Sequence, residues 1–207
     1  GMVRRPCAGA ISRRLVPVTD VPVMNMPVPA DAMVLAAGLG RRMRPLTEHR
    51  PKPLVEVAGR TLLDRALDLL AAAGVRRAVV NLHYLADRVE EHLKRHPLAI
   101  DVQFSDERTL LLETGGGIAN ALPLLASDPF LALNADNLWA GAAPAVEVLA
   151  EAWDDRRMDA LLLLLPRERA QCHQGRGDFD LLPDGQLARR AKDGAAAFVY
   201  TGLQMLS

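Results

Sequence analysis

From Met33 onward the chain alternates short, unbroken apolar runs with segments of helical period, and few folds accept that order. Met33–Ala37, Ala78–Leu82, Ile100–Phe104 and Phe130–Leu133 read as strands, with further strands expected at Ala160–Leu165, Asp178–Leu182 and Ala197–Met205. Helices are expected at Thr61–Ala73, Leu85–Arg95, Ile118–Leu125 (interrupted near Pro123) and Ala145–Trp153. The first is the best marked. Leu62, Leu63, Ala66, Leu69 and Leu70 recur on one face, Thr61 stands as N-cap with Asp64 three residues on, and Gly74 stops the helix. Strands that are continuously apolar, rather than alternating, are buried on both faces, and strands separated by helices connect in parallel. The expected fold is therefore α/β: a doubly wound, mostly parallel sheet with helices on both faces. Ligands bind such sheets outside the carboxyl ends of the strands, which directs attention to the loops after Ala37, Leu82, Phe104 and Leu133.

Composition narrows the partners. Lys plus Arg number 25 and Asp plus Glu number 25, so no global field attracts nucleic acid or an anionic membrane. Aromatic residues make up 4%, too few for a stacking platform on single-stranded nucleic acid. The longest apolar runs, Ala160–Leu165 and Ala195–Tyr200, fall far short of a membrane span. Cys7 and Cys172 make neither a disulfide framework nor a metal-ligand spacing, which favours a reducing cytoplasm. Gly1 before Met2 reads as a remnant of tag removal. Residues 1–30, with Arg4, Arg5, Arg13, Arg14 and five prolines, are expected to be an extended N-terminal extension, with a basic docking tail as the alternative, ahead of a single domain over 31–207.

Four segments carry the chemistry. After the first strand comes Ala37-Gly38-Leu39-Gly40-Arg41-Arg42-Met43-Arg44-Pro45-Leu46-Thr47, where glycines admit a phosphate to the backbone and arginines supply countercharge. It fits neither the dinucleotide fingerprint nor the Walker loop, and alone it is equally an ordinary glycine turn with solvated arginines. Within ten residues Pro51-Lys52-Pro53-Leu54 clamps one of only three lysines between prolines. Glu113-Thr114-Gly115-Gly116-Gly117 then offers bare backbone at a helix start, to a flat base or a phosphate. Finally Asn134-Ala135-Asp136 ends an apolar strand in a carboxylate on the ligand rim, where Asp also serves commonly as a helix cap. Asn81 and His83 lie on the same rim.

In this order and spacing the four segments resemble the sugar-1-phosphate nucleotidyltransferase family, over roughly Pro29 to the C-terminus. His173-Gln174-Gly175-Arg176-Gly177-Asp178-Phe179 brings the chain closest to the N-acetylmuramate-1-phosphate uridylyltransferase branch. The resemblance implies a Rossmann-like nucleotidyltransferase fold and a transfer between UTP and an amino-sugar 1-phosphate, giving a UDP-sugar and pyrophosphate in cell-wall sugar recycling. It also implies roles by position. Ala37, Gly38, Leu39, Gly40 and Arg41 would hold the triphosphate, and Arg42 and Lys52 would stabilise its charge and that of the sugar phosphate. Glu113 through Gly117, with Glu107 nearby, would line the base; Asp136 would ligate Mg²⁺; and Gly177, Lys192, Thr201 and Gly202 would meet the sugar phosphate.

The family also carries a second metal-binding Asp in a Gly-x-Trp-x-Asp-x-Gly-Thr segment near its C-terminus, and no such segment occurs up to Ser207. With one carboxylate, Mg²⁺ would take its other oxygens from triphosphate and water. Two alternatives follow: a mannose-1-phosphate guanylyltransferase or other sugar-1-phosphate nucleotidyltransferase on the same fold, and a catalytically silent nucleotide-binding module.

Overall fold

A computed structural model describes residues 26–95, 97–139, 144–170 and 173–207. In chain order the elements are β1 (Asp31–Leu35), the two-residue strands β2 (Glu56–Val57) and β3 (Arg60–Thr61), α1 (Leu62–Ala72), β4 (Arg77–Leu82), α2 (Ala86–Arg95), β5 (Asp101–Asp106), α3 (Glu113–Ala121), β6 (Phe130–Asn134), α4 (Ala145–Ala152), β7 (Ala160–Pro166), β8 (Phe179–Leu181), β9 (Leu187–Arg189) and β10 (Phe198–Leu206). They fall into two compact units, the described residues of Val23–Leu161 with Gly202–Ser207, and those of Leu162–Thr201. Most of the N-terminal extension and both cysteines lie outside the described residues.

The larger unit is the expected α/β core. Its strands run β5-β4-β1-β6, all parallel, with Met33 opposite Val79 on one side and Ala132 on the other. The last residues of β10 then pair antiparallel with β6, Leu203 opposite Leu133 and Met205 opposite Leu131. Met33, Val79, Leu131, Leu133, Leu203 and Met205 are fully buried, because helices cover the sheet and no polar face is needed. From α1 come Leu63, Ala66 and Leu70, from α2 Val89 and Leu93, and from α4 Val146 and Leu149. Each such Leu is worth roughly 1.5–3 kcal/mol in burial. Thr61 caps α1 as its sequence suggests, its hydroxyl accepting from the Asp64 N–H at 3.0 Å. At the opposite end of β1 the buried Asp31 carboxylate accepts from the Ala126 and Ser127 amides, while the Asp31 N–H donates to Ser127 Oγ at 3.1 Å. Strand β1 is thereby locked to the segment entering β6.

Two boundaries differ from expectation for identifiable reasons. β1 ends at Leu35 rather than Ala37, because the Ala36 and Ala37 amides turn to the Asn81 side chain instead of a neighbouring strand. α3 begins at Glu113, five residues before the expected Ile118, and gives way to a single 3-10 turn over Leu122–Leu124 at Pro123. Its three glycines carry poor helix propensity, and packing overrides it, with Gly117 and Ala121 buried.

In the smaller unit β8 and β9 form an antiparallel hairpin, Phe179 opposite Arg189, and Phe198 of β10 pairs with Phe179. β9 carries no apolar run that would have marked it. Among the described residues no helix is long and apolar enough to cross a membrane.

Candidate nucleotide site

The loop after β1 descends into a single 3-10 turn over Arg41–Met43, closed by the Met43 N–H donating to Gly40 O at 2.9 Å. Gly40 has a left-handed φ of 62°, and a Cβ there would stand 3.0 Å from Thr47 Cγ2 and 3.3 Å from Lys52 Cβ. Only glycine lets the loop fold that tightly over both residues. The fully buried Thr47 fastens it, its hydroxyl donating to Gly40 O at 2.8 Å. The Tyr84 hydroxyl lies 3.0 Å from both the Thr47 and the Glu48 carbonyl and shares its one proton between them. Lys52 opens a 3-10 turn over Lys52–Leu54 whose first residues carry the flanking prolines, so its Cα is fixed and its stem points to the strand ends.

These elements enclose a cleft of about 380 Å³ at the carboxyl ends of β1 and β6. Of the expected residues, Ala37, Gly38, Leu39, Gly40, Arg41, Arg42, Lys52, Glu113, Thr114 and Asp136 all line it. Lys52 Nζ forms a short ion pair with Asp136 Oδ2, both side chains partly exposed to the cleft. A point cation and a carboxylate thus meet where the glycine loop and the end of β6 converge. Glu113 holds a left-handed φ of 59°, unusual off glycine and costing on the order of 1–3 kcal/mol. That turn places the first residue of α3 on the cleft wall.

Other expected residues stand elsewhere. Glu107 lies behind the cleft wall, 2% exposed, bonded to Asn81 and to the Leu112 N–H. Gly115 and Gly116 are exposed in α3 outside the lining, and Gly117 is buried against Glu107 and Asn81 rather than turned to the cleft. Gly202 packs beside Asn134, whose side chain also lines the cleft. Gly177, Lys192 and Thr201 belong to the smaller unit. There Gly177 is buried, the Lys192 carbonyl accepts from Arg190, and the Thr201 hydroxyl donates to Leu163 O at 2.8 Å. The lining adds Leu111, Pro53 and Asn134, to which sequence reasoning gave no role. Asn134 stands in the Asn-x-Asp pattern, and alternation along β6 is the signal that it shares a face with Asp136.

A glycine loop with a basic flank at the carboxyl end of a central parallel strand, facing a lysine and a carboxylate, is the arrangement with which α/β proteins of the nucleotide-handling class bind phosphate. The chain belongs to the nucleotidyl transferase family, whose pattern matches residues 31–172. It is 48% identical over 181 residues to the N-acetylmuramate alpha-1-phosphate uridylyltransferase of Caulobacter vibrioides, covering 86% of this chain and 75% of that protein. It is 38% identical over 173 residues to the enzyme of the same name from Neisseria meningitidis, covering 83% and 73%. Among solved structures, HddC from Yersinia pseudotuberculosis complexed with GMP-PN matches with a TM-score of 0.68 at 25% identity, over 86% of this chain and 76% of that one.

Proposed function

We propose that the protein joins UTP to N-acetylmuramate 1-phosphate, releasing pyrophosphate and forming the UDP-sugar, within cell-wall sugar recycling in the cytoplasm. The observation that carries this reading is the convergence of the Gly38–Gly40 loop, Arg42, Lys52 and Asp136 on one cleft, in a chain that is 48% identical to a uridylyltransferase of that specificity. A phosphate oxygen of the sugar 1-phosphate attacks the α-phosphorus of UTP, and the bond from that phosphorus to the β-phosphate oxygen breaks as pyrophosphate leaves. The nucleophile is already an anion, so no general base is needed. What the protein supplies is alignment and charge neutralisation.

The glycine loop holds the triphosphate, Arg41 and Arg42 lie along its outer edge, and Lys52 faces the α-phosphate and the incoming sugar phosphate. Glu113 and Thr114 at the start of α3 face the base. Gly202 stands beside Asn134 in the larger unit, and Gly177, Lys192 and Thr201 of the smaller unit keep the sugar-phosphate roles that the family resemblance gives them. Asp136 fits a divalent ion of the Mg²⁺ type, which favours hard oxygen donors and keeps waters and substrate phosphates among its ligands. Among the described residues no cluster of three His, Cys, Asp or Glu side chains offers a closed protein cage. When bound, such an ion neutralises triphosphate charge. The ion pair with Asp136 holds the Lys52 ammonium at the site, so little side-chain freedom is left to lose when substrate arrives.

The test is pyrophosphate release with Mg²⁺ over UTP, GTP, CTP and dTTP against N-acetylmuramate, N-acetylglucosamine, glucose and mannose 1-phosphates. Turnover is expected with UTP and N-acetylmuramate 1-phosphate. Lys52→Ala and Asp136→Ala are each expected to lose at least about a hundredfold in kcat with folding intact. Binding of UTP without turnover of any pair would replace this reading with a silent binding module.

A further inference from the structure

Beneath the glycine loop runs a polar relay from the buried Glu107 to Asn81, whose side chain also lines the cleft, and the substrate roles proposed above assign nothing to the bonds within it. Asn81 in β4 and Glu107 just after β5 are each 2% exposed. Asn81 Nδ2 donates to Glu107 Oε1 at 2.8 Å, while Asn81 Oδ1 accepts from the Ala36 and Ala37 amides at 2.6 and 3.2 Å. The other carboxylate oxygen, Glu107 Oε2, accepts from the Leu112 N–H at 3.3 Å, directly before α3. Among the described residues Glu107 has no ion pair. A carboxylate buried without a cation is costly for stability, and such costs are tolerated mainly where position matters to function. Gly117 points the same way. A Cβ there would lie 2.8 Å from Glu107 Oε1 and 2.9 Å from Asn81 Nδ2, so a poor helix former is kept inside α3 to leave room for the pair.

We infer that Glu107 is a positioning residue rather than a nucleotide contact: through Asn81 it fixes the start of the glycine loop, through the Leu112 N–H it fixes the start of α3, and it thereby sets the spacing between the phosphate end and the base end of the cleft. The identity of the ligand rests on the nucleotidyltransferase reading.

Hydrogen-bond polarity supplies the test. In Glu107→Gln one acceptor becomes a donor and must face either the Asn81 amide or the Leu112 N–H. Asn81→Asp sets two carboxylates within hydrogen-bond distance of each other. In the double variant N81D/E107Q every bond is restored with the polarity of the central one reversed. The new amide at position 107 donates to the new carboxylate at position 81, that carboxylate accepts from Ala36 and Ala37, and the amide carbonyl at position 107 accepts from Leu112. Amide exchange of the ligand-free protein at Ala36, Ala37 and Leu112 is expected to rise roughly tenfold in Glu107→Gln and in Gly117→Ala, with Met33 and Leu131 unchanged. The double variant is expected to return within about threefold of the parent. For nucleotide, KM in Glu107→Gln should rise about tenfold, with KM for the sugar phosphate unmoved.

Unchanged exchange at the three amides, an equal rise at Met33 and Leu131, or a double variant no better than Glu107→Gln would each overturn the relay. Gly117→Ala adds a contrast of sign, since helix propensity alone predicts stabilisation there. If the parent turns over no nucleotide while the exchange pattern holds, the substrate reading fails and the relay stands.

Discussion

The two units hold their loops by different physics. In the larger unit the cleft loops rest on strands β1, β4 and β6, whose side chains are almost wholly buried, and Thr47, Asn81 and Glu107 tie the backbone from beneath. In the smaller unit only Gly177 and Ala196 are buried among the described residues. Its loop over Ala191–Gly194 is held chiefly by the Arg190 guanidinium: Nε donates to Gly177 O at 3.0 Å and Nη1 lies 3.1–3.2 Å from the Ala191, Lys192 and Gly194 carbonyls, while Arg176 Nη1 donates to Asp193 O at 3.3 Å. Burial gives a loop the stability of the whole domain, whereas exposed hydrogen bonds give it only their own modest net worth.

The comparison breaks most readily at the hydrophobic core. Leu131→Ala, at a fully buried position in β6, is expected to cost about 2–5 kcal/mol in denaturant unfolding. Leu181→Ala in β8, where the side chain is 51% exposed, should stay within about 0.5 kcal/mol. Equal losses would show that the smaller unit has a core that burial fails to reveal. Arg190→Ala comes next, at about 1–2 kcal/mol of local opening. Faster exchange is expected at the Ala196 amide, which donates to Arg176 O at 2.7 Å, with β1 amides unaffected. Arg190→Lys should not rescue it, because the guanidinium spans two places at once, Nε on Gly177 O and Nη1 on the loop carbonyls, and a single ammonium nitrogen cannot stand at both. If the loop meets the sugar phosphate, its KM rises in Arg190→Ala while that of UTP holds.

What the sequence made legible follows the same division. Continuous apolar runs identified β1, β4, β6 and β10, and Thr61 with Asp64 and Gly74 bounded α1 almost to the residue. The cleft-lining loop, Lys52 and Asp136 were legible because their chemistry is local: glycines, a proline-framed lysine, a carboxylate at a strand end. Glu107 was expected to line the base and instead turns inward to Asn81, 26 residues away, because nothing local says whether a carboxylate after β5 faces ligand or interior. The start of α3 was hidden by three glycines that propensity reads as a turn, although one of them is glycine because of that same distant carboxylate. β9 was missed because its stability comes from pairing with β8, not from its own pattern.

The smallest effects separate the units by pH. In the larger unit burial alone would raise the Asp64 carboxyl, but its hydrogen bonds with His92 and Thr61 prevail and hold it below its ordinary value of 3.8. A carboxylate lowered on folding contributes stability that is complete above that value and is lost as pH falls through it. Asp64→Asn should therefore flatten the acid limb of stability below about pH 4, by about 1 kcal/mol or less. In the smaller unit burial pushes the Tyr200 hydroxyl from 10.0 up to about 12. An acid raised on folding works in the opposite sense: its stability is complete below pH 10 and is lost as pH rises from there toward 12. Tyr200→Phe should remove that alkaline limb at the exchange of β8 and β9 amides while leaving β1 and β4 untouched. Alkaline loss that appears equally in both sets of amides would mean that the two units open together, and that the weaker burial around Arg190 does not let the smaller unit open on its own.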